Sequence, residues 1–117
     1  MKLRLDEVDG VIMKDNSTYV LEDNNFLENL TVSTTFLKPG QSTRGHSHEN
    51  QEEVYIFTSG TATMTIGEDQ HTAIAGDMFL IPKGKFHKVE NLSQIKSCSV
   101  TCIFEKYDRS GETAKYK

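Results

Sequence analysis

The chain of 117 residues contains no tryptophan, only two cysteines and two prolines, and no excess of basic residues. Thirteen lysines and arginines stand against 17 aspartates and glutamates, and the formal net charge of -4 argues against a nucleic-acid partner, which requires a basic patch. No apolar run approaches the length of a membrane span, and the first ten residues lack the apolar core of a secretory signal. These absences predict a cytoplasmic protein that binds neither nucleic acid nor a membrane.

The two cysteines lie four positions apart and favour neither a disulfide nor a metal site. On one extended strand, the Cα atoms of Cys98 and Cys102 are about 13 Å apart at ~3.3 Å per residue, beyond the reach of a disulfide. A single C-x-x-x-C pattern is also a weak signal for zinc. We therefore expect both thiols to pack as small hydrophobic groups.

Turn signals recur along the chain at intervals of roughly 8–12 residues, the spacing of a sandwich or barrel of short strands. They lie at residues 38–41, 59–60, 67–69, 76–77, 82–85 and 90–91. The segments between them are rich in β-branched or alternating apolar residues and predict strands at 31–37, 54–58, 61–66, 78–81 and 99–104. Residues 26–30 fit a single helical turn instead. We predict an all-β fold, organised as one domain over residues 1–117.

Three histidines and a glutamate form a candidate set of metal ligands. His46 and His48 lie two positions apart, so on an extended strand both side chains leave the same face, with Cα atoms about 6.6 Å apart. Glu53 reaches that face if the polar stretch before it bends; Glu52 is the alternative, and alternation cannot choose between them. His87 comes from a distant strand, after a Pro-x-Gly turn. Three imidazoles and one carboxylate suit one divalent ion of manganese, iron, cobalt, nickel, copper or zinc.

The spacing of these residues resembles both sequence motifs of the cupin family. Residues 40–60 read Gly40-x5-His46-x-His48-x4-Glu53-x6-Gly60 and resemble the first motif at every position. Residues 76–91 read Gly76-x5-Pro82-x-Gly84-x2-His87-x3-Asn91 and resemble the second motif equally well. The resemblance implies a single-domain cupin β-barrel of the jelly-roll or double-stranded β-helix type. It also implies one divalent transition metal ion, with Glu53 rather than Glu52 among its ligands, which are His46, His48, Glu53 and His87.

Four side chains near the motifs are candidates for contact with a substrate. Arg44 shares the alternation of the two nearby histidines, so its guanidinium is placed to bind a phosphate or carboxylate, unless the glycine after it turns it outward. Tyr55 and Phe57 share the alternation of Glu53, although core packing is the alternative for Phe57. Lys83 lies in the Pro-x-Gly turn, where a solvated loop is the alternative to an anion contact. Glu53 and Tyr55 are the candidate catalytic groups, because either can move a proton.

The resemblance to cupins leaves several functions open, because the motifs hold the metal and do not choose the substrate. The first hypothesis is an isomerase or epimerase of a sugar phosphate or a similar small polar or anionic molecule, as in cupins grouped with mannose-6-phosphate isomerases. An Fe(II)-dependent dioxygenase is the second hypothesis, although many thiol dioxygenases replace the motif glutamate that is present here. A non-catalytic binding or sensing module is the third. The resemblance also implies a homodimer, paired through the strands around residues 2–20.

Overall fold

The computed structural model describes residues 1–106, in which strands are joined by turns and loops. The strands are β1 Val11–Asp15, β2 Tyr19–Asn24, β3 Leu30–Leu37, β4 Glu53–Ser59, β5 Thr61–Ile66, β6 Asp69–Ile74, β7 Met78–Ile81, β8 His87–Asn91 and β9 Cys98–Glu105. The predicted all-β fold is confirmed. No helix in this range is long and apolar enough to cross a membrane. The predicted domain extends to residue 117, so its last eleven residues lie outside the described residues.

The five predicted strands coincide with β3, β4, β5, β7 and β9, and each boundary agrees within one residue. The other four strands do not alternate clearly: β1 and β2 each begin with three apolar residues and end with polar ones, and β6 and β8 are mostly polar. Residues 25–29 form a bend between β2 and β3 rather than a helical turn. Phe26 and Leu27 are exposed there, so a helical turn would gain little from the burial of these side chains.

The strands form two antiparallel sheets. One sheet has six strands in the order β1-β2-β3-β9-β4-β7, and the other has three in the order β6-β5-β8. A two-residue connection, Gly67-Glu68, joins β5 to β6, and Gly67 has a φ of 60° that suits such a hairpin turn. Because β9 pairs with both β3 and β4, it connects the first three strands to the strand that carries Glu53.

The hydrophobic core lies between the sheets and takes alternate residues from their strands. Its buried members are Leu37, Tyr55, Phe57, Ala62, Met64, Ala73, Ile81, Val89, Cys98, Val100, Cys102 and Phe104. Both cysteines pack here as small hydrophobic groups, as predicted. Burial raises the pKa of the Cys98 thiol to about 11, so the thiol stays neutral in the folded protein.

The connection between β3 and β4 lies against β8 and carries two of the candidate ligands. It is held there by backbone hydrogen bonds from Thr43 N to the carbonyl of Val89, at 2.9 Å, and from Asn91 N to the carbonyl of Gln41, also at 2.9 Å. Residues far apart in the sequence are thereby brought to one end of the barrel.

Candidate metal centre

The connection before β4 places His46 and His48 beside His87, the first residue of β8. His46 N donates to the carbonyl of His87 at 3.1 Å, and His87 N donates to the carbonyl of His46 at 2.9 Å. The carbonyl of His48 accepts a hydrogen bond from Gly84 N at 2.8 Å, which ties the same segment to the Pro-x-Gly turn before β8. These backbone contacts bring the three histidines together independently of their side chains.

Glu53 supplies the carboxylate because β4 begins at this residue. Its side chain is 5% exposed, whereas Glu52 is exposed to solvent. The chain turns at residues 49–50, which removes the alternation that would otherwise link the histidines to Glu53. Along β4 the buried positions are Glu53, Tyr55 and Phe57, as expected for one inward face.

The four predicted ligand residues converge on one point. One potential ligand atom from each of them lies within 4.8 Å of the others. Glu53 Oε2 is 3.0 Å from His87 Nε2, and Glu53 Oε1 is 3.7 Å from His48 Nε2. The ring centroid of His46 is 4.9 Å from that of His48 and 4.4 Å from that of His87.

The position of a proton on His87 follows from its backbone neighbour. His87 Nδ1 lies 3.0 Å from the carbonyl oxygen of Lys85, which can only accept a hydrogen bond. Nδ1 of the neutral ring therefore carries the proton, and Nε2 keeps its lone pair on the side that faces Glu53. A metal-binding histidine is commonly oriented by a contact of this kind.

Opposing effects act on the charge of Glu53. Burial raises the pKa of Glu53. The hydrogen bond with His87, and the positive charges that His87, His48 and His46 carry when protonated, lower it. The net pKa lies below the ordinary value for a glutamate, so the carboxyl group is ionised at neutral pH. A buried carboxylate beside three imidazoles provides negative charge for a cation.

The donor atoms of the cluster fit a metal ion. Glu53 Oε2 and His87 Nε2 are buried and have no hydrogen-bond partner beyond the cluster among the described residues. Polar atoms in that situation are costly unless another group satisfies them. Three imidazole nitrogens and one carboxylate oxygen are ligands that manganese, iron, cobalt, nickel, copper and zinc accept. The cluster could therefore hold one divalent ion of these elements.

A cavity of about 300 Å³ adjoins the cluster. His46 and Glu53 form part of its wall, so a small molecule inside it can reach the candidate metal centre. The rest of the wall combines hydroxyl side chains, from β3 and from the connection before β4, with apolar side chains, mainly from β9. This volume is at the lower end of the range for small-molecule sites.

Two of the four predicted substrate contacts line this cavity. Arg44 and Tyr55 belong to its wall, and the Tyr55 ring centroid lies 5.4 Å from that of His87. Phe57 does not reach it, because β4 carries this side chain into the core, where it packs against Phe79. Lys83 does not reach it either, because the Pro-x-Gly turn exposes this side chain to solvent. Phe57 and Lys83 are therefore not among the residues that line this cavity.

The sequence interpretation overlooked other residues of the wall. Ser33, Thr35 and Leu37 alternate along β3 and face the cavity together, a pattern that is visible in the sequence once the strand is assigned. Lys14 of β1 also lines the cavity, although it follows three consecutive apolar residues. Its position depends on a local irregularity in strand pairing, for which the sequence gives no clear signal.

Two curated relatives match most of the chain. An uncharacterized protein of Methanocaldococcus jannaschii is 26% identical over 110 residues, which cover 92% of this chain and 88% of that protein. Oxalate decarboxylase of Bacillus subtilis is 29% identical over 96 residues, which cover 76% of this chain but only 25% of the decarboxylase.

The likeness extends to solved structures and to a protein family. A sugar phosphate isomerase from a cupin superfamily, from Silicibacter pomeroyi, has a TM-score of 0.68 at 18% identity; the match covers 77% of this chain and 60% of that one. At this identity the likeness shows the fold alone, and it agrees with the predicted jelly roll. The cupin domain family matches residues 34–104, which include both motifs and more than half of the chain. The chain therefore belongs to the cupin family.

Proposed function

We propose that this protein is a metal-dependent isomerase or epimerase of a small, oxygen-rich, anionic molecule such as a sugar phosphate. The observation that carries the proposal is the contact between the four-residue cluster and the adjoining cavity, whose wall includes His46 and Glu53. A volume of about 300 Å³ suits a molecule of this size.

Hydroxyl groups on the cavity wall favour a substrate that is rich in oxygen. Ser33 is 1% exposed, lines the cavity, and its Oγ has no hydrogen-bond partner among the described residues. A buried hydroxyl without a partner is costly, and a hydroxyl group on a ligand would satisfy it. Thr35, Ser42 and Thr43 add further hydroxyls to the same wall.

His46, His48, Glu53 and His87 would hold the metal ion. When bound, such an ion supplies a Lewis acid that polarises a carbonyl oxygen. Since Glu53 is committed to the cluster, Tyr55 is the better candidate for moving a proton at the substrate. Its side chain is mostly buried, lines the cavity and lies beside His87. The surrounding apolar residues of β9 would limit the access of water to the reacting carbons.

The Silicibacter pomeroyi protein, described as a sugar phosphate isomerase, supports this reaction class by its similar fold. The relative from Bacillus subtilis, an oxalate decarboxylase, supports a second candidate, the metal-dependent decarboxylation of a small carboxylate. Release of carbon dioxide from oxalate or a similar acid, without isomerisation of any sugar phosphate, would favour this second candidate.

Proton exchange in deuterated water tests the isomerase proposal. Metal-loaded protein is incubated with aldose phosphates, and NMR spectroscopy follows product formation and deuterium at the carbon that receives the proton. We expect Tyr55→Phe to keep its metal and to lose about 10²–10⁴-fold in turnover, the usual contribution of a general acid or base. Absence of turnover across a panel of aldose and ketose phosphates contradicts the proposal. Unchanged turnover in Tyr55→Phe contradicts the role of Tyr55.

A further inference from the structure

We propose that Lys14 and Arg44 together bind the anionic group of the ligand, a phosphate or a carboxylate, at the wall of the cavity. The inference rests on the proposed function in that this group would belong to the substrate. It assigns the second cationic contact to β1, not to the Pro-x-Gly turn where the sequence predicts it.

An irregularity in the pairing of β1 with β2 brings Lys14 to the cavity. Ile12 pairs with Glu22, but the next paired residue on β1 is Lys14, which lies opposite Leu21. Met13 is thus the extra residue of a β-bulge, a feature that redirects side chains at sheet edges and next to functional sites. Regular pairing would place Met13 opposite Leu21, and Leu21 lines the cavity. The bulge therefore puts a lysine at a position that a methionine would otherwise occupy.

One of the two cations lies on a strand and the other in the connection between β3 and β4. Lys14 lies on β1, at one end of the six-stranded sheet. Arg44 directly follows Thr43, whose backbone N and side-chain Oγ1 form hydrogen bonds with Val89 of β8, in the three-stranded sheet. Both residues line the same cavity. A ligand anion between them would contact a guanidinium, which binds oxyanions in pairs, and an ammonium group.

The balance of charge around the cavity also favours an anion. Among the described residues that form its wall, Lys14 and Arg44 are the lysine and arginine, and Glu53 is the acidic residue. Glu53 belongs to the candidate metal centre, where a divalent ion would offset the negative charge of its carboxylate. The wall thus presents two positive charges that the cluster does not use.

Calorimetric titration of the metal-loaded full chain with inorganic phosphate and with malonate tests the proposal. We expect Lys14→Met to bind the preferred anion about ten-fold more weakly, as for one lost charged hydrogen bond, and Lys14→Arg to stay close to the parent protein. The two anions distinguish a phosphate site from a carboxylate site. Lys96→Met, which removes an exposed lysine elsewhere, is the matched control and should bind like the parent protein.

An exchange of two neighbouring residues distinguishes a direct contact between Lys14 and the anion from attraction of the anion by the net charge of the protein. The double variant Met13→Lys, Lys14→Met keeps composition and net charge, and we expect it to bind as weakly as Lys14→Met. Wild-type affinity in either variant, or no binding of either anion to the parent protein, overturns the proposal. If phosphate binding depends on Lys14 but no sugar phosphate is converted, the isomerase proposal alone fails. If conversion proceeds with a KM that Lys14→Met leaves unchanged, the anion site alone fails.

Discussion

Glu53 combines burial with negative charge in a way that suits a ligand of a cation. Its carboxyl group is nearly inaccessible to solvent, and burial alone would raise its pKa. The contact with His87 and the charges of the surrounding imidazoles, when protonated, outweigh that cost and lower the pKa below its ordinary value. In the absence of metal, the same contacts link the ionisation of Glu53 to the stability of the fold.

This linkage predicts how stability falls in acid. Because the folded pKa of Glu53 lies below the unfolded one, its ionised form contributes stability above the unfolded pKa, near 4.3, and loses it as pH falls through the folded pKa. In metal-free protein, we expect the free energy of unfolding to fall less steeply below that pH in Glu53→Gln than in the parent protein. Urea unfolding at a series of pH values measures this, and parallel curves for the two proteins would contradict it.

Glu52 and Glu53 show how far the sequence alone predicts the ligands of the candidate metal centre. The residue types and the spacing of the cluster are visible in the sequence, because the chemistry of metal binding requires them. Alternation does not distinguish the two glutamates, since the turn at residues 49–50 resets it. The resemblance to the cupin motif implies that Glu53 is the ligand, and the burial of Glu53 agrees with this.

At the scale of elements, the end of β8 holds the barrel together through Asn91. Its Nδ2 donates to the carbonyls of Leu37, Lys38 and Lys96, at 3.2, 3.1 and 2.8 Å. Its Oδ1 accepts a hydrogen bond from Ser93 N at 3.0 Å. One buried amide thus joins the end of β3, the end of β8 and the connection that leads to β9.

Removal of this amide should destabilise the fold. Asn91→Ala leaves carbonyl groups around a buried position without their donor, and we expect the free energy of unfolding to fall by about 2 kcal/mol. Chemical denaturation measures the change. Asn16→Ala is the control, because the exposed Asn16 accepts hydrogen bonds from Thr18 N and Tyr19 N that water can replace. A loss at position 91 no larger than that at position 16 would contradict this account.

The elements differ in how far the sequence predicts them. Strands such as β5 and β7, whose alternation or apolar run lies between clear turns, have the predicted bounds. The bulge in β1 is not predictable in this way, since it depends on pairing with β2, and it decides whether Lys14 or Met13 lies opposite Leu21. The burial of Phe57 and the exposure of Lys83 depend on the packing of distant strands, which the local sequence does not define.

At the scale of the whole molecule, the two ends of the six-stranded sheet are its open edges. They are formed by β1 and β7. Val11, Ile12 and Met13 of β1 are exposed, and an apolar edge strand is a ready template for pairing with another chain. The homodimer implied by the family resemblance remains a prediction, and β1 is the edge that we propose for it.

Light scattering coupled to size-exclusion chromatography tests this dimer. We expect about twice the monomer mass for the parent protein and the monomer mass for Ile12→Lys, because a charge on an edge strand opposes pairing. Met78→Lys on β7 is the matched control, since Ile12 and Met78 are each 60% exposed. A monomeric parent protein at micromolar concentration, or dissociation by Met78→Lys alone, would contradict the prediction.

The central claim is that His46, His48, Glu53 and His87 hold one divalent metal ion. It is tested most directly by elemental analysis of untagged protein purified without a nickel column, with Glu52→Gln and Glu53→Gln measured in parallel. We expect about one divalent ion per folded chain in the parent protein and in Glu52→Gln, and a large loss in Glu53→Gln. A parent protein without metal, or a Glu53→Gln variant that keeps it, would contradict the claim.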